Sequence, residues 1–334
     1  MKLLEFGFLL VDDFGVLLKK KRKRVLVISK EGKKEFPVKN LREVIISGKA
    51  SISSELIKHL ALSGIDILFT TPTGKPIARV VNTRLGGTAE NRKEQYKSLD
   101  DERCIYISKS VIIGKIRNQF SNLRYYSKSR RATKEIAMEL YGGYEKLKEK
   151  SEELSILEIS LSENWRETIL SYEGEAAKIY WQLLSLILKE FGFEKRERES
   201  EDPVNILLNV AYNMLSSQIW KYVLKFGLDP YCGFLHTERP GKLSLVYDLM
   251  EPYRPMVDRF VISFIKHCDK RVFSSKEKAI PLLLKEFIDK FLNSRIEYKG
   301  RKMRIETTMF YYLQEIVAYI RRNKENITTP FIPW

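Results

Sequence analysis

The sequence predicts an α+β protein. A β-rich N-terminal domain of strands and one helix covers residues 1–84, a linker covers 85–100, and a larger all-α domain covers 101–334. Three observations lead there. Up to residue 84, short runs rich in Val, Ile, Leu and Phe are separated by Gly, Pro, Asp and Lys turn signals. From Leu85 to about Asp101 the chain is polar and poor in β-branched residues. Beyond it the apolar period is helical, with Ile112, Ile116, Phe120 and Leu123 at i, i+4, i+8 and i+11.

Each element of the first domain follows from local chemistry. Residues 6–11 and 16–18 read as strands flanking a turn at Asp12-Asp13-Phe14-Gly15. Residues 25–29 and 34–38 flank Lys30-Glu31-Gly32-Lys33, a hairpin signal. Val44-Ile45-Ile46 is short and β-branched, as buried strands tend to be. Ser53 or Ser54 caps the single helix, Leu56, Ile57, Leu60 and Ala61 line it, and Gly64 ends it. Residues 65–69 and 77–81 close the set around Pro72-Thr73-Gly74. The basic run 19–24 lies between strands and reads as a solvated hairpin tip, and His59 as a surface or packing residue.

In the second domain, Lys109, Lys115, Arg117, Arg124, Lys128, Arg130 and Arg131 surround the 112–123 stripe. Such a helix packs on one side and can offer cations to phosphates on the other. A further stripe, Ala177, Tyr180, Trp181, Leu184 and Leu188, runs down to Gly192. The Glu173-Gly174 step is unusual within it, because Gly costs roughly 1 kcal/mol relative to Ala inside a helix. A small residue beside a carboxylate suits close approach to the backbone. After the mixed-charge loop 193–202, Asp202 serves as N-cap and Pro203 as the first residue of a helix running to Gly227. Pro252 and Pro255 kink or end the following segment. Helices over about 278–293 and 307–322 complete the core, with a turn over 297–302 between them. The apolar tail, residues 329–334, is expected to dock, on this chain or on a partner.

Lys and Arg number 59 against 43 Asp and Glu, a net charge of +16. That excess points to a polyanionic partner, and to nucleic acid before a membrane, since no amphipathic basic helix or lipidation motif stands out. No apolar run approaches the ~20 residues of a membrane span. Cys104, Cys232 and Cys268 show no CxxC pairing, which argues against a disulfide framework and for a reducing cytoplasm. Walker loop, GxGxxG and GxSxG are all absent, so P-loop ATPase and α/β-hydrolase chemistries are poor readings.

The richest stretch for chemistry is Cys232-Gly233-Phe234-Leu235-His236-Thr237 with Ser244 to Glu251 after it. His236 is one of three histidines in the chain, and Asp248 and Glu251 follow at i and i+3, one face of a helix. Imidazole with carboxylates suits Mg²⁺ or Mn²⁺ better than a thiolate-type zinc site. Local spacing leaves the ligand set incomplete. It also leaves open His236 as a general acid or base, and Asp248 and Glu251 as partners of Arg254.

Four blocks in order then resemble one family. They are Glu173-Gly174 with Ala177 (EG-x-x-A), 202–209 (DPVN-x-LLN), 233–236 (GF-x-H) and 247–255 (YDLMEP-(F/Y)-RP). The chain is similar to the CRISPR spacer-acquisition nuclease and integrase, the Cas-one family. The resemblance implies a β-rich domain ahead of a helical catalytic domain. It implies a metal-dependent endonuclease that cuts DNA and joins it by transesterification to insert spacers into a CRISPR array. It implies Glu173, His236 and Glu251 as metal ligands, with Asp248 in the same cluster and Glu175 outside the motif. A homodimer formed through the β-rich domain and a complex with the small protein Cas-two are implied as well. Arg239, Lys242 and Arg254 are candidate phosphate contacts. The alternative is a non-catalytic DNA-binding scaffold that relies on its basic surface alone.

Overall fold

Turn chemistry sorts the first eighty residues into two sheets, as the computed structural model shows for residues 2–3, 7–82, 88–130, 132–162, 164–237 and 240–333. Phe6, residues 85–87, Arg131, Arg239 and Trp334 lie outside the described residues. Contacts divide the chain into two units, Met1–Leu85 with Asp269–Asn293, and Gly86–Cys268 with Ser294–Trp334.

The first unit contains β1 (Lys2–Leu3), β2 (Phe8–Val11), β3 (Val16–Lys21), β4 (Arg24–Ser29), β5 (Gly32–Pro37), β6 (Glu43–Ile46), β7 (Ala50–Ile52), α1 (Ser54–Leu62), β8 (Asp66–Thr70) and β9 (Pro76–Val80). One sheet has the order β1-β2-β6-β8-β9 and the other β5-β4-β3-β7. The turn at Asp12 to Gly15 carries the chain from the first sheet to the second. The Lys30 to Gly32 turn closes a hairpin, with Ser29 opposite Gly32. The basic run is the tip of the β3–β4 hairpin, where Lys21 faces Arg24 and Arg22 takes φ 54°. The core draws on both sheets and on α1: Leu9, Val11, Val44 and Ile67 join Leu18, Val25, Val27, Leu56 and Leu60. The Ser53 hydroxyl accepts from the Leu56 amide and caps α1.

The second unit is helical: α2 (Thr88–Lys97), α3 (Glu102–Ser127), α4 (Lys134–Ile156), α5 (Trp165–Leu188), α6 (Pro203–Lys225), α7 (Ser244–Met250) and α8 (Arg254–His267). Later in the chain come α9 (Lys270–Phe273), α10 (Lys276–Glu286), a hairpin of β10 (Arg295–Tyr298) and β11 (Arg301–Arg304), and α11 (Ile305–Ile320). Asp202 caps α6 as its sequence requires, accepting from the Asn205 amide, with Pro203 in the first turn. Helix α3 runs through the middle of the unit, against α4, α5 and α8. Ile112, Ile116 and Leu123 of its apolar stripe are buried, and so are the polar Asn118, Ser121 and Asn122. Among the described residues no helix is long and apolar enough to cross a membrane.

Three local expectations change. The polar stretch read as a linker is largely α2, and two of its polar side chains, Asn91 and Gln95, face inward. Gln95 donates to the Asp229 and Cys232 carbonyls (3.0 and 2.8 Å) and accepts from the Asp229 amide, while Asn91 donates to the Phe226 carbonyl. The segment expected as a helix over 278–293 belongs by its contacts with the β-rich unit, and it ends in a π-helical turn, Phe287–Phe291. Periodicity shows that a helix has an apolar face without showing what covers it. The 297–302 turn is the tip of the β10–β11 hairpin, with Lys299 and Gly300 at φ 54° and 69°, so the helical unit carries one small sheet.

Candidate metal centre

Two asparagines one turn apart on α3 set up the site. The Asn118 amide donates to the Pro252 carbonyl at 2.8 Å, and the Asn122 amide to the Pro255 carbonyl at 2.6 Å. The Pro252 carbonyl lies between α7 and α8 and the Pro255 carbonyl in the first turn of α8, where each proline removes a helical N–H donor. Their capture fixes a short 3₁₀ turn, Glu251–Tyr253, against α3. Asn118 also takes the C-terminal tail, donating to the Pro330 carbonyl and accepting from the Ile332 amide. The tail therefore docks on its own chain, with Arg259 holding the Pro333 carbonyl and Arg117 lying over the Phe331 ring.

Glu251 projects from that turn with only 5% of its side chain exposed. Arg254 donates to its Oε1 at 2.8 Å, and the Lys115 ammonium, from α3, lies 2.7 Å from its Oε2. The same ammonium pairs with Glu173 of α5. Burial alone would raise the Glu251 carboxyl, but Arg254 and Lys115 outweigh it and, with His236, hold it down at about 2. Burial likewise works against the Lys115 charge, and the Glu251 and Glu173 carboxylates more than restore it.

His236 stands on the loop ahead of α7, and Asp248 organises that loop. Asp248 Oδ2 accepts from the Phe234 and Leu235 amides at 2.6 and 3.0 Å, and Oδ1 from the His236 amide at 3.1 Å. The His236 ring meets the same Oδ1 through Nδ1 at 2.5 Å. A carboxylate there favours the proton on Nδ1 and leaves the Nε2 lone pair outward. Gly233 is part of this device. A Cβ at that position would lie 2.8 Å from Asp248 Oδ2 and 2.9 Å from the His236 carbonyl oxygen.

The structure thus brings Glu173 and Glu251 to one cation and sets His236 close enough to influence Glu251. Asp248, expected in the same cluster, takes the position behind the histidine. It is 1% exposed and both of its oxygens are engaged with the His236 loop, which leaves it behind the imidazole. Arg254, expected at a phosphate, is the buried counter-ion of Glu251, with its guanidinium 4.9 Å from the Tyr212 ring centroid. Lys242 is half-buried on the loop leading into α7. Glu175 points away from Glu173, 61% exposed and paired with Lys150. A Cβ at Gly174 would meet nothing within 4 Å, so crowding by the protein does not explain that glycine. The expected phosphate-facing cations of α3 are largely committed internally. Lys109 donates to the carbonyls of Ser155 and Leu157, and Arg124 lies over the Tyr141 ring.

Sequence reasoning missed Lys115 as a site residue and both asparagines altogether. A cation adjacent to Ile116 of the apolar stripe, two polar amides at i and i+4 on a buried helix, and two carbonyl-exposing prolines are the signals that would have found them.

A hard divalent cation suits these donors. Two carboxylates already converge on one positive charge, Glu251 Oε2 is buried without a hydrogen bond, and an imidazole is held with Nε2 outward. Among the described residues no three His, Cys, Asp or Glu side chains already meet at one point. Lys115 stands in the gap.

A family model described as CRISPR associated protein Cas1 matches residues 9–296. The chain belongs to the Cas1 family. It is 51% identical over its whole length, and the whole of the relative's, to the CRISPR-associated endonuclease Cas1 of Korarchaeum cryptofilum. In fold it is similar to a casposase bound to an integration product, with a TM-score of 0.78 and 22% identity over 97% of this chain and 93% of that one. It is also similar to a chain of a Cas6-RT-Cas1–Cas2 complex, with a TM-score of 0.74 and 19% identity over 99% of this Cas1 chain and 37% of the other.

Proposed function

We propose that this Cas1 chain is a divalent-metal-dependent DNA endonuclease and integrase that joins new spacers to a CRISPR array. The observation that carries the reading is the convergence of Glu173 and Glu251, from segments far apart in sequence, on one cation beside a histidine fixed by Asp248. Membership of the Cas1 family and the endonuclease name of its Korarchaeum relative support the same chemistry. Glu173, Glu251 and His236 through Nε2 would hold Mg²⁺ or Mn²⁺. When bound, such an ion supplies Lewis-acid polarisation of a phosphate and activation of water or a DNA 3′-hydroxyl.

The chain's own residues prepare that site. Arg254 keeps Glu251 ionised in a buried position, so the carboxylate is ready to ligate without first losing a proton. Asp248 keeps the imidazole in the tautomer that presents a lone pair. The α3 asparagines hold the Glu251 turn in register with Glu173. The net charge of +16 favours DNA, double-stranded, branched or single-stranded, as the partner. Family membership supports a homodimer through the β-rich domain and a complex with Cas2.

The test is strand joining on a branched DNA substrate with Mn²⁺ or Mg²⁺. Glu173→Gln, His236→Ala and Glu251→Gln are each expected to abolish cleavage and joining while DNA binding persists, and Glu175→Gln to remain active. Full joining by the Glu173 or His236 variant, or by wild type in EDTA, would sink the reading.

A further inference from the structure

We propose that Lys115 is the resident counter-cation of this centre. Its ammonium holds Glu173 and Glu251 together before a divalent ion arrives, and it leaves when one binds. The inference rests on the metal-centre reading above.

Four observations carry it. Lys115 contacts both carboxylates, and its own side chain is 12% exposed, so it is lodged within the cluster. The ammonium lies 2.7 Å from Glu251 Oε2, an oxygen that has no other donor among the described residues. It sits on a four-carbon stem with rotatable bonds, on which it can swing away. Arg254, by contrast, is tied to Oε1 and seated over Tyr212. When Lys115 departs, Glu251 therefore keeps one counter-ion.

Two carboxylates with one lysine and one arginine are close to neutral. Without Lys115 the same pocket would carry excess negative charge at a buried position, a costly state until a metal fills it. A divalent ion can replace the ammonium because it offers twice the charge and can gather carboxylate oxygens and the His236 Nε2 as ligands at one point. The lysine thus keeps the ligands converged and lowers affinity for the ion by competing with it. This explains why the ligating side chains do not yet meet at one point among the described residues.

The test is Mn²⁺ titration of the full chain, followed by the EPR signal of free Mn²⁺, for wild type, Lys115→Met and Glu173→Gln. Thermal melting in EDTA and in Mn²⁺ accompanies it. Lys115→Met is expected to bind Mn²⁺ about tenfold or more tightly, the scale of losing one charge-assisted hydrogen bond. It should melt lower in EDTA and gain more from Mn²⁺ than wild type does. Glu173→Gln should bind weakly. Unchanged or weaker binding by Lys115→Met, with Glu173→Gln still impaired, overturns the role of Lys115 and leaves the metal centre standing. Wild-type binding that is absent, or indifferent to Glu173→Gln, overturns both.

Should Lys115→Met fail to fold, amine labelling of wild type decides. Mass spectrometry after reductive methylation should show Lys115 modified severalfold more in Mg²⁺ than in EDTA, and equal or lower labelling refutes displacement.

Discussion

Replacing Asp248 by Asn changes one oxygen to an amide nitrogen at a position where four donors converge. In one orientation the new NH₂ faces the Phe234 and Leu235 amides, now 2.6 and 3.0 Å from Oδ2, and strands two buried donors. At about 1–3 kcal/mol for each unsatisfied group, the loss is roughly 2–6 kcal/mol. In the other orientation the amide serves those two N–H groups through its oxygen, strands the His236 amide that donated to Oδ1, and presents NH₂ to His236 Nδ1. The imidazole must then accept there and carry its proton on Nε2, the nitrogen that would ligate. Both orientations damage the centre, one through the loop and one through the tautomer. At about 2–4 °C per kcal/mol for a domain of this size, melting should fall by about 4 °C or more in the first case. In either case Mn²⁺ affinity should fall about 10- to 100-fold, the usual effect of removing a residue that orients a metal-bound histidine. Differential scanning fluorimetry and Mn²⁺ titration read the two quantities. An Asp248→Asn protein with wild-type melting, Mn²⁺ affinity and strand joining would refute the assignment of Asp248 as the positioning group of His236.

Other consequences are equally specific. Gly233→Ala places a methyl 2.8 Å from Asp248 Oδ2, so it should depress both stability and joining, and a crystal structure should show the His236 loop displaced. Asp258 is buried between the Tyr180 and Tyr212 hydroxyls, and burial raises its carboxyl from 3.8 to about 6. Its ionised form is therefore penalised in the fold, and stability from this group increases as pH falls through 6 toward 3.8. Between pH 7 and 5 the gain is about 1 kcal/mol. Wild type should gain that much relative to Asp258→Asn over the same interval in urea denaturation, and parallel profiles for the two proteins would contradict it.

The sequence made the division into a β-rich first part and a helical second part legible because side-chain period changes from two to 3.6 at the boundary. Capping by Ser53 and Asp202 was legible for the same local reason, a short polar side chain placed before an apolar face. Glu173, His236 and Glu251 emerged from ordered motifs, and Glu173 in particular could not have come from spacing, since its neighbours in space are 115 and 251. What the sequence hid was inward polarity. Gln95, Asn118 and Asn122 look like solvent-facing residues in a string of letters, yet each satisfies backbone carbonyls inside the fold. Lys115 and Arg254 were read as phosphate contacts because a cation's partner depends on which carboxylate the fold brings to it. Asp248 was read as part of the ligand cluster, at the ion or just behind it, because i, i+3 spacing on a helix does not tell which oxygen is already taken.

Anomalous scattering at the manganese edge, from crystals of the chain soaked in Mn²⁺, tests the central claim most directly. The expected result is a peak about 2.1–2.2 Å from carboxylate oxygens of Glu173 and Glu251 and from His236 Nε2, with the Lys115 ammonium moved off both carboxylates. Absence of a peak there at a Mn²⁺ concentration that supports strand joining, or a peak at a different cluster of carboxylates, would contradict it.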